Sequence, residues 1–368
     1  MKTNYLFTFL SLILGSFLVQ AQIVNIPDAN FKNALVNTNC VDIDGNGTGD
    51  DDVDTNNDGE IQVSEAEAVT NWLRVTFQGI TSLEGIASFI NMKQFHCDGN
   101  NITELDLSQN VSLEVLICYD NPLTEFDATL IPNLRLLDIS YCKLVTLNLG
   151  NPNLRDVWCE ENNLTTINTT GAINLMAIQC HNNGLTSLDF SSNLNLDTVN
   201  CWGNQLTSLD FSNNSIIRQI SCRNNNLINL NISNGNNINL ERMWAHNNPN
   251  LECIKVDDEV FSNAQLCDQP NGTGWCKDET ASYSEFCELA VTDFSENEII
   301  LFPNPTNHTL TLQSEFHIEK GAIYNLQGVL VKELKETNVI DVSELSQGLY
   351  FVEITSDGKK QIKKFIKS

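Results

Sequence analysis

Basic residues are scarce in this chain. Against 47 Asp and Glu stand 20 Lys and Arg, a formal net charge of −27. A surface of that sign repels phosphate, which excludes nucleic acid as a partner and favours cations or basic partners. The excess is uneven: it lies between Gln22 and Glu298, while the stretch from Ile299 onward is near neutral. Long hydrophobic runs are missing after Val19, so nothing beyond that point is expected to span a bilayer. Catalytic signatures are missing too. There is no G-x-S-x-G, no H-E-x-x-H and no phosphate-cradling glycine loop. His96, Glu160 and His181 could supply a base and acids, but no nucleophile is spaced with them in a recognisable motif. The expectation is a protein that is not an enzyme.

What is present begins with a leader. Lys2 precedes an apolar run from Leu6 to Val19, and Val19-Gln20-Ala21 offers small residues for cleavage. This reads as a secretory signal peptide over residues 1–21, too short in its apolar run for a membrane anchor.

From Met92 to Asn248 the chain repeats itself. NLMAIQCHNNGLTSLDFSSN, NLDTVNCWGNQLTSLDFSNN and IIRQISCRNNNLINLNIS share the form L-x-x-L-x-C-x-x-N-x-L-x-x-L at a period of roughly 21 residues. That is the signature of a leucine-rich-repeat solenoid, an α/β-type repeat with a parallel β horseshoe. Asn100, Asn121, Asn162, Asn183, Asn204, Asn225 and Asn248 form one column, broken by Cys142. A buried amide there can satisfy backbone groups where the chain leaves its strand.

Twelve cysteines in an exported chain suggest disulfides, but position argues otherwise for most. Cys97, Cys118, Cys159, Cys180, Cys201 and Cys222 share the inward-facing third apolar site. Side chains in register on parallel strands sit about 4.8 Å apart, whereas a disulfide wants Cβ atoms about 3.5–4.5 Å apart. These six and Cys142 therefore read as small buried hydrophobes. Cys253, Cys267, Cys276 and Cys287 lie outside the ladder and are the candidates for bridges. Cys253–Cys287 with Cys267–Cys276 is the pairing favoured, though four cysteines allow three pairings and the sequence does not choose.

Ahead of the repeats, IPDANFKNALVN predicts a helix that Asp28 caps and that buries Phe31, Ala34 and Leu35. Between Cys40 and Ala68 stand ten acidic residues and no base. Within them DTNNDGEIQVSE matches a calcium-binding EF-hand loop by position. Asp54, Asn56 and Asp58 take positions 1, 3 and 5, Gly59 the sharp turn, Glu60 the backbone carbonyl, and Glu65 the bidentate twelfth place. Calcium wants such hard oxygens, and the role expected for it is structural; the alternative is a solvated acidic loop. An upstream copy offers Asp42, Asp44, Asn46 and Asp50 but lacks the twelfth Glu, and a second site there stays open.

A strand has period 2, so residues flanking each inward Cys should face the concave surface. That places Trp72, Arg74, His96, Tyr119, Asp138, Tyr141, Trp158, Glu160, His181, Trp202, Arg223, Trp244 and His246 there, including four of the five Trp. Aromatics gathered on one exposed surface mark a binding site; packing of aromatics on one another is the bland alternative.

After Asn248 the pattern decays into a segment tied by cysteines. The tail then changes composition: short alternating runs divided by Asn325-Leu326-Gln327-Gly328 and Ser356-Asp357-Gly358 predict a small all-β sandwich. Its Lys-rich last strand is a usual protection for an edge. The expected divisions are 1–21 signal peptide, 22–68 cap with the acidic loop, 69–252 repeats, 253–287 C-terminal cap, 288–298 linker and 299–368 tail.

The tail closely resembles the type A C-terminal sorting domain of the Bacteroidetes type IX secretion system. The matching residues are Leu301-Phe302-Pro303-Asn304-Pro305, Tyr324-Asn325-Leu326-Gln327-Gly328, Gly348-Leu349-Tyr350 and the closing Lys363-Lys364-Phe365-Ile366-Lys367. This resemblance implies passage across the outer membrane, then removal of the tail and release or attachment at the cell surface. Residues from Ile26 to about Cys287 are similar to internalin-type repeats of bacterial surface proteins, flavobacterial members of which pair such repeats with an IPDANFK cap and an acidic segment. That likeness implies binding of proteins or glycans and offers no catalytic residues to carry over. The expected partner is an extracellular protein, with a glycan or a structural, adhesive role as alternatives, and the outer-membrane sorting machinery for the tail.

Overall fold

The computed structural model describes residues 22–43, 45–268, 273–287, 300–313, 320–326, 328–335, 338–356 and 359–368. The expected signal peptide, Asp44, the linker 288–298, and the turn residues Gln327, Asp357 and Gly358 lie outside them. The chain divides into two compact units, Met1–Cys287 and Glu288–Ser368.

In the first unit each repeat contributes one three-residue strand to a single parallel sheet. The strands are β1 (Trp72–Arg74), β2 (Gln94–His96), β3 (Val115–Ile117), β4 (Leu136–Asp138), β5 (Asp156–Trp158), β6 (Ala177–Gln179), β7 (Thr198–Asn200), β8 (Gln219–Ser221), β9 (Arg242–Trp244) and β10 (Thr273–Cys276). They pair in that order, and Cys267–Asp268 closes the edge antiparallel to β10. Register follows the repeat: Thr198 faces Gln219 and Ser221 faces Trp244. The middle residue of each strand points inward, so Phe95, Leu116, Leu137, Ile178, Val199, Ile220 and Met243 form a stacked core.

Short strands and 3-10 turns return the chain on the opposite side. Parallel strands 125–127, 146–148 and 166–168 make one sheet there, and 208–210, 229–231, 253–255 and 282–284 another. Each return is only a few residues, too short for an α-helix, and among the described residues α-helices are confined to the caps.

The asparagine column joins the repeats. Asn204 Nδ2 donates to Cys180 O and Cys201 O at 3.1 and 3.0 Å, and its Oδ1 accepts from Leu185 N. One side chain thus satisfies carbonyls of two successive repeats and an amide of the earlier one. A second asparagine ladder stands at the opposite corner, where Asn193 binds Thr169 O and Ala172 O and Asn214 binds Phe190 O and Asn193 O. The recurring D-F-S-x-N of the sequence was its signal.

Cys40 and the six cysteines of the inner column are fully buried and Cys142 nearly so; all eight are free. Burial drives their thiols upward, Cys222 and Cys40 to about 12 and Cys142 to about 11. They are inert packing groups.

The N-terminal cap opens with α1 (Ala29–Asn37), which buries Phe31, Ala34 and Leu35 against the first repeats. Asp28 caps it through Asn30 N and Phe31 N, while its other oxygen takes Thr81 N, Thr81 Oγ1 and Ser82 N. At the far end Trp275, 3 % exposed, continues the core column and donates Nε1 to Leu240 O. Disulfides Cys253–Cys287 and Cys267–Cys276 fasten this end.

The second unit holds two antiparallel sheets, one of Ile300–Phe302, Thr309–Gln313 and Val339–Asp341, the other of Leu330–Lys335, Lys320–Asn325, Gly348–Ser356 and Lys359–Lys367. Their core is its own, formed by Leu310, Leu312, Ile323, Ile340, Val352, Ile354 and Phe365. The Lys-rich strand is at the edge of the larger sheet.

Candidate functional site

Three columns of side chains face outward from β1–β10, one on each side of the inward strand residue and one just past the Cys column. Most of the expected binding residues lie there: Arg74, His96, Asp138, Trp158 and Trp244 between the two inward columns, and Tyr119, Glu160, His181, Trp202, Arg223 and His246 beyond the Cys.

Two expectations need correction. Trp72 starts β1 but is only 7 % exposed. Its ring lies 6.2 Å from His96, and the cap segment at Cys40 and Val41 bonds to β1 through Arg74 N and a bridge to Leu73. It belongs to the capped end of the sheet. Tyr141 is 57 % exposed with φ of 53°, on the left-handed step that leaves the strand. Ile139 fills the Cys position of that repeat, so Ser140 occupies the column place assigned to Tyr141.

The face is electrically divided. Toward β3–β5 it is acidic, with a shallow depression of about 450 Å³ lined by Tyr119, Asp120, Asp138, Ser140, Tyr141 and Glu160. Burial, aided by the charges of Asp138 and Glu161, pushes the Glu160 carboxyl above its usual range. Asp98, 4 % exposed, is raised in the same way.

Toward β7–β9 the face is aromatic and cationic. His181 stacks on Trp202 at 4.6 Å with 19° between the rings. The Arg223 guanidinium lies 4.9 Å from the Trp202 ring and 5.2 Å from that of Trp244. Arg242 covers Trp244 at 5.3 Å, and His246 meets the same ring edge-on at 6.4 Å. Cation–π contacts of this kind fix both partners. Burial, with the charge of Arg223 beside it, holds His181 and His246 below the ordinary imidazole range.

Polar groups on this sheet are left unsatisfied within the protein. His96 Nε2, Glu160 Oε2, His181 Nδ1, Asn200 Oδ1, Ser221 Oγ, Arg223 Nε, Arg242 Nε and Trp244 Nε1 are buried without a hydrogen-bond partner. Native proteins satisfy nearly all such atoms, and each orphan costs about 1–3 kcal/mol. Asn200, Ser221 and Arg242 were not singled out in the sequence; small polar residues on a strand carry no signal until their neighbours are known.

The acidic loop folds as its spacing predicts in several respects. Asn57 and Gly59 take left-handed φ of 58° and 80°. Asp54, 2 % exposed, accepts from Asp58 N and Gly59 N. Glu65, 7 % exposed in α2 (Val63–Ala68), folds back to accept from Thr55 Oγ1, Asn56 N and Gln62 N. Asp58 is held below the usual carboxylate range, first by the Glu60 N–H, and Gln62 Nε2 sits on both its oxygens at 3.2 and 3.1 Å. Lys32 pairs with Glu60 at 2.6 Å. The donors are oxygens of the type and order that suit calcium. Among the described residues, though, no three or more His, Cys, Asp or Glu side chains converge closely enough to hold a metal as they stand. The upstream loop copies the turn, with Asp42 accepting from Gly45 N and Gly47 N.

Comparison with known proteins bears on both units. Residues 300–368 match the model of the secretion system C-terminal sorting domain. The tail is a sorting domain. With the repeats, it makes the chain an exported leucine-rich-repeat protein. Similar solved structures include the functional domain of InlJ from Listeria monocytogenes, described as including a cysteine ladder. It is 18 % identical, with 95 % of this chain and 98 % of that one covered and a TM-score of 0.41. Internalin C2 of Listeria monocytogenes is 19 % identical, covering 65 % and 98 %, with a TM-score of 0.42. A leucine-rich-repeat protein of Leptospira interrogans is 17 % identical, covering 53 % and 62 %, with a TM-score of 0.36. Among curated protein sequences none matches. Among the described residues no helix is long and apolar enough to cross a membrane.

Proposed function

We propose that this exported repeat protein is a non-catalytic recognition protein that binds a partner protein through the concave face of β2–β9, outside the cell or on its surface. The observation that carries this reading is the set of orphaned polar atoms gathered on that one sheet. A surface buried this far yet unsatisfied gains its missing hydrogen bonds from an occupant. A protein is favoured over a glycan because Trp202 lies between His181 and Arg223, the neighbours on either side in its column, so its ring faces are already covered. A sugar needs an open indole face to stack on. Support for a non-catalytic role is that no nucleophile is spaced with His181 in a recognisable sequence motif and that His181 is stacked on Trp202.

The test is capture from an extracellular surface proteome, run beside a glycan array, with the whole chain and with Trp202→Ala and Trp244→Ala. Both variants should keep the wild-type melting temperature and lose the partner. Undiminished capture by both would remove the concave face from consideration, and retention of glycans alone would favour the glycan reading.

Calcium is part of the same proposal, as a brace for the N-terminal cap. Asp54, Asn56, Asp58 and Glu65 side chains and the Glu60 carbonyl would hold it, and it would neutralise two buried carboxylates, Asp54 and Glu65. Binding requires the Gln62 amide to leave Asp58. A cation at a hundred times its Kd stabilises a fold by about 2.7 kcal/mol, so chelator should lower the melting temperature and calcium restore it. Asp54→Asn should abolish that response. A melting temperature indifferent to chelator would refute the brace.

A further inference from the structure

Arg223 and Arg242 share one indole, that of Trp244, and lie 5.2 and 5.3 Å from its centre. Like charges held on one indole are unfavourable without a counterion. Among the described residues neither pairs with a carboxylate, whereas Arg135 and Arg218 do. Arg242 makes one hydrogen bond, Nη2 to Gln219 Oε1 at 2.6 Å. Burial and the neighbouring charge of Arg223 hold Arg242 below its ordinary range. In a chain with 47 acidic residues, two guanidinium groups on one indole and unmatched are conspicuous.

Ser221 stands on the middle outward column between Asn200 and Trp244. It is 2 % exposed, and its Oγ has no partner. Arg223 Nε, two residues further along the chain, and Arg242 Nε and Trp244 Nε1, on the adjoining strand β9, are buried without a partner as well. Three fixed N–H donors and a hydroxyl thus gather over two repeats, with Asn200 Oδ1 as the acceptor beside them. A guanidinium whose flat face lies on a ring keeps its N–H groups at its edge, in the fork that matches a carboxylate.

Building on the recognition reading, we propose that this part of the concave face is an anion notch that takes a side-chain carboxylate from an acidic segment of the partner polypeptide. Arg223 and Arg242 grip the carboxylate from their edges, with Trp244 Nε1 and Ser221 Oγ as further donors. Asn200 Oδ1 takes a neighbouring peptide N–H. Trp202 and Trp244 hold the guanidinium groups flat and exclude water around them. A peptide is the source rather than a sulfated sugar because the donor cluster comes with an acceptor and no open ring face.

The test is titration of the full chain with an acetylated, amidated peptide of alternating Glu and Gly, followed by tryptophan fluorescence and calorimetry. Its Gln counterpart and dextran sulfate serve as the other two probes. The Glu peptide should bind saturably and weaken with added salt, and the Gln peptide should not bind. Arg223→Gln and Arg242→Gln should each reduce affinity at least tenfold with unchanged melting. Arg218→Gln, on the flank and already paired with Asp197 at 2.5 Å, should leave it unaltered. Should Arg223→Gln melt early, Arg242→Gln alone decides. No binding of the Glu peptide, equal binding of the Gln peptide, or unchanged affinity in the Arg variants would overturn the proposal. Dextran sulfate binding where the Glu peptide fails would do so too, and would assign the notch to sulfated sugars. If Trp202→Ala ends partner capture while both Arg variants retain it, the recognition face stands and the anion notch falls.

Discussion

A single asparagine per repeat does work that would otherwise fall to several backbone groups. Asn204 serves two carbonyls, 24 and 3 residues earlier in sequence, and one amide. Replacing it with Ala would orphan Leu185 N in a buried site and leave Cys180 O and Cys201 O with one donor each, from Asn183 and Asn225, at a cost of about 1–3 kcal/mol. The measurement is a denaturant midpoint with unchanged slope. Cys142 is the natural counterpart of that experiment. Its Sγ stands 3.7 Å from Cys118 O and 3.5 Å from Ser140 O, long and weak contacts where Asn would make short ones. Cys142→Asn should therefore raise stability, by about 1 kcal/mol. A fall would mean that the pocket is shaped to sulfur. The same repeat holds Ile139 at its Cys position, so Ser140 takes the outward column place, and Tyr141, one residue on, reaches the depression beside Glu160 from the left-handed step.

Among the elements, α1 and its cap show how an end is sealed. Burial pushes the Asp28 carboxyl upward, but hydrogen bonds from Phe31, Thr81 and Ser82 outweigh it and bring the pKa to about 2. The folded state therefore binds this proton only near pH 2, whereas the unfolded chain binds it near pH 3.9. The stabilisation is complete above the unfolded value and disappears as pH falls from about 4 to 2. Asp28→Ala should cost about 1–2 kcal/mol at pH 7, as loss of an N-cap does, and the gap from wild type should close at pH 2. Urea midpoints at the two pH values check this; a gap of constant size would show that the charge is immaterial. The cap also explains Trp72. Periodicity put it on the open face, and nothing in its own repeat says that the chain from Cys40 will cover it.

On the scale of the molecule, the acidity lies in the repeats and their caps, yet the concave sheet is split between carboxylates near β3–β5 and guanidinium groups near β7–β9. A partner reading both halves would carry complementary charge at the two ends of its contact, which sets orientation as well as affinity. The sorting domain builds a core of its own, apart from that of the repeats.

By itself the sequence determined the repeat and its length, which residues face inward, the inert thiol column and the sorting tail. All of these follow from period and composition, because a 21-residue repeat places the same backbone hydrogen bonds and the same buried sites in every turn. The tertiary structure decided which neighbours touch. Ser221, Arg223 and Arg242 become neighbours only when β8 and β9 lie side by side, with Arg223 over Trp202 and Trp244 and Arg242 over Trp244. Periodicity gives the face on which a side chain stands; what covers it and what it lacks depend on packing between repeats, which no single repeat encodes.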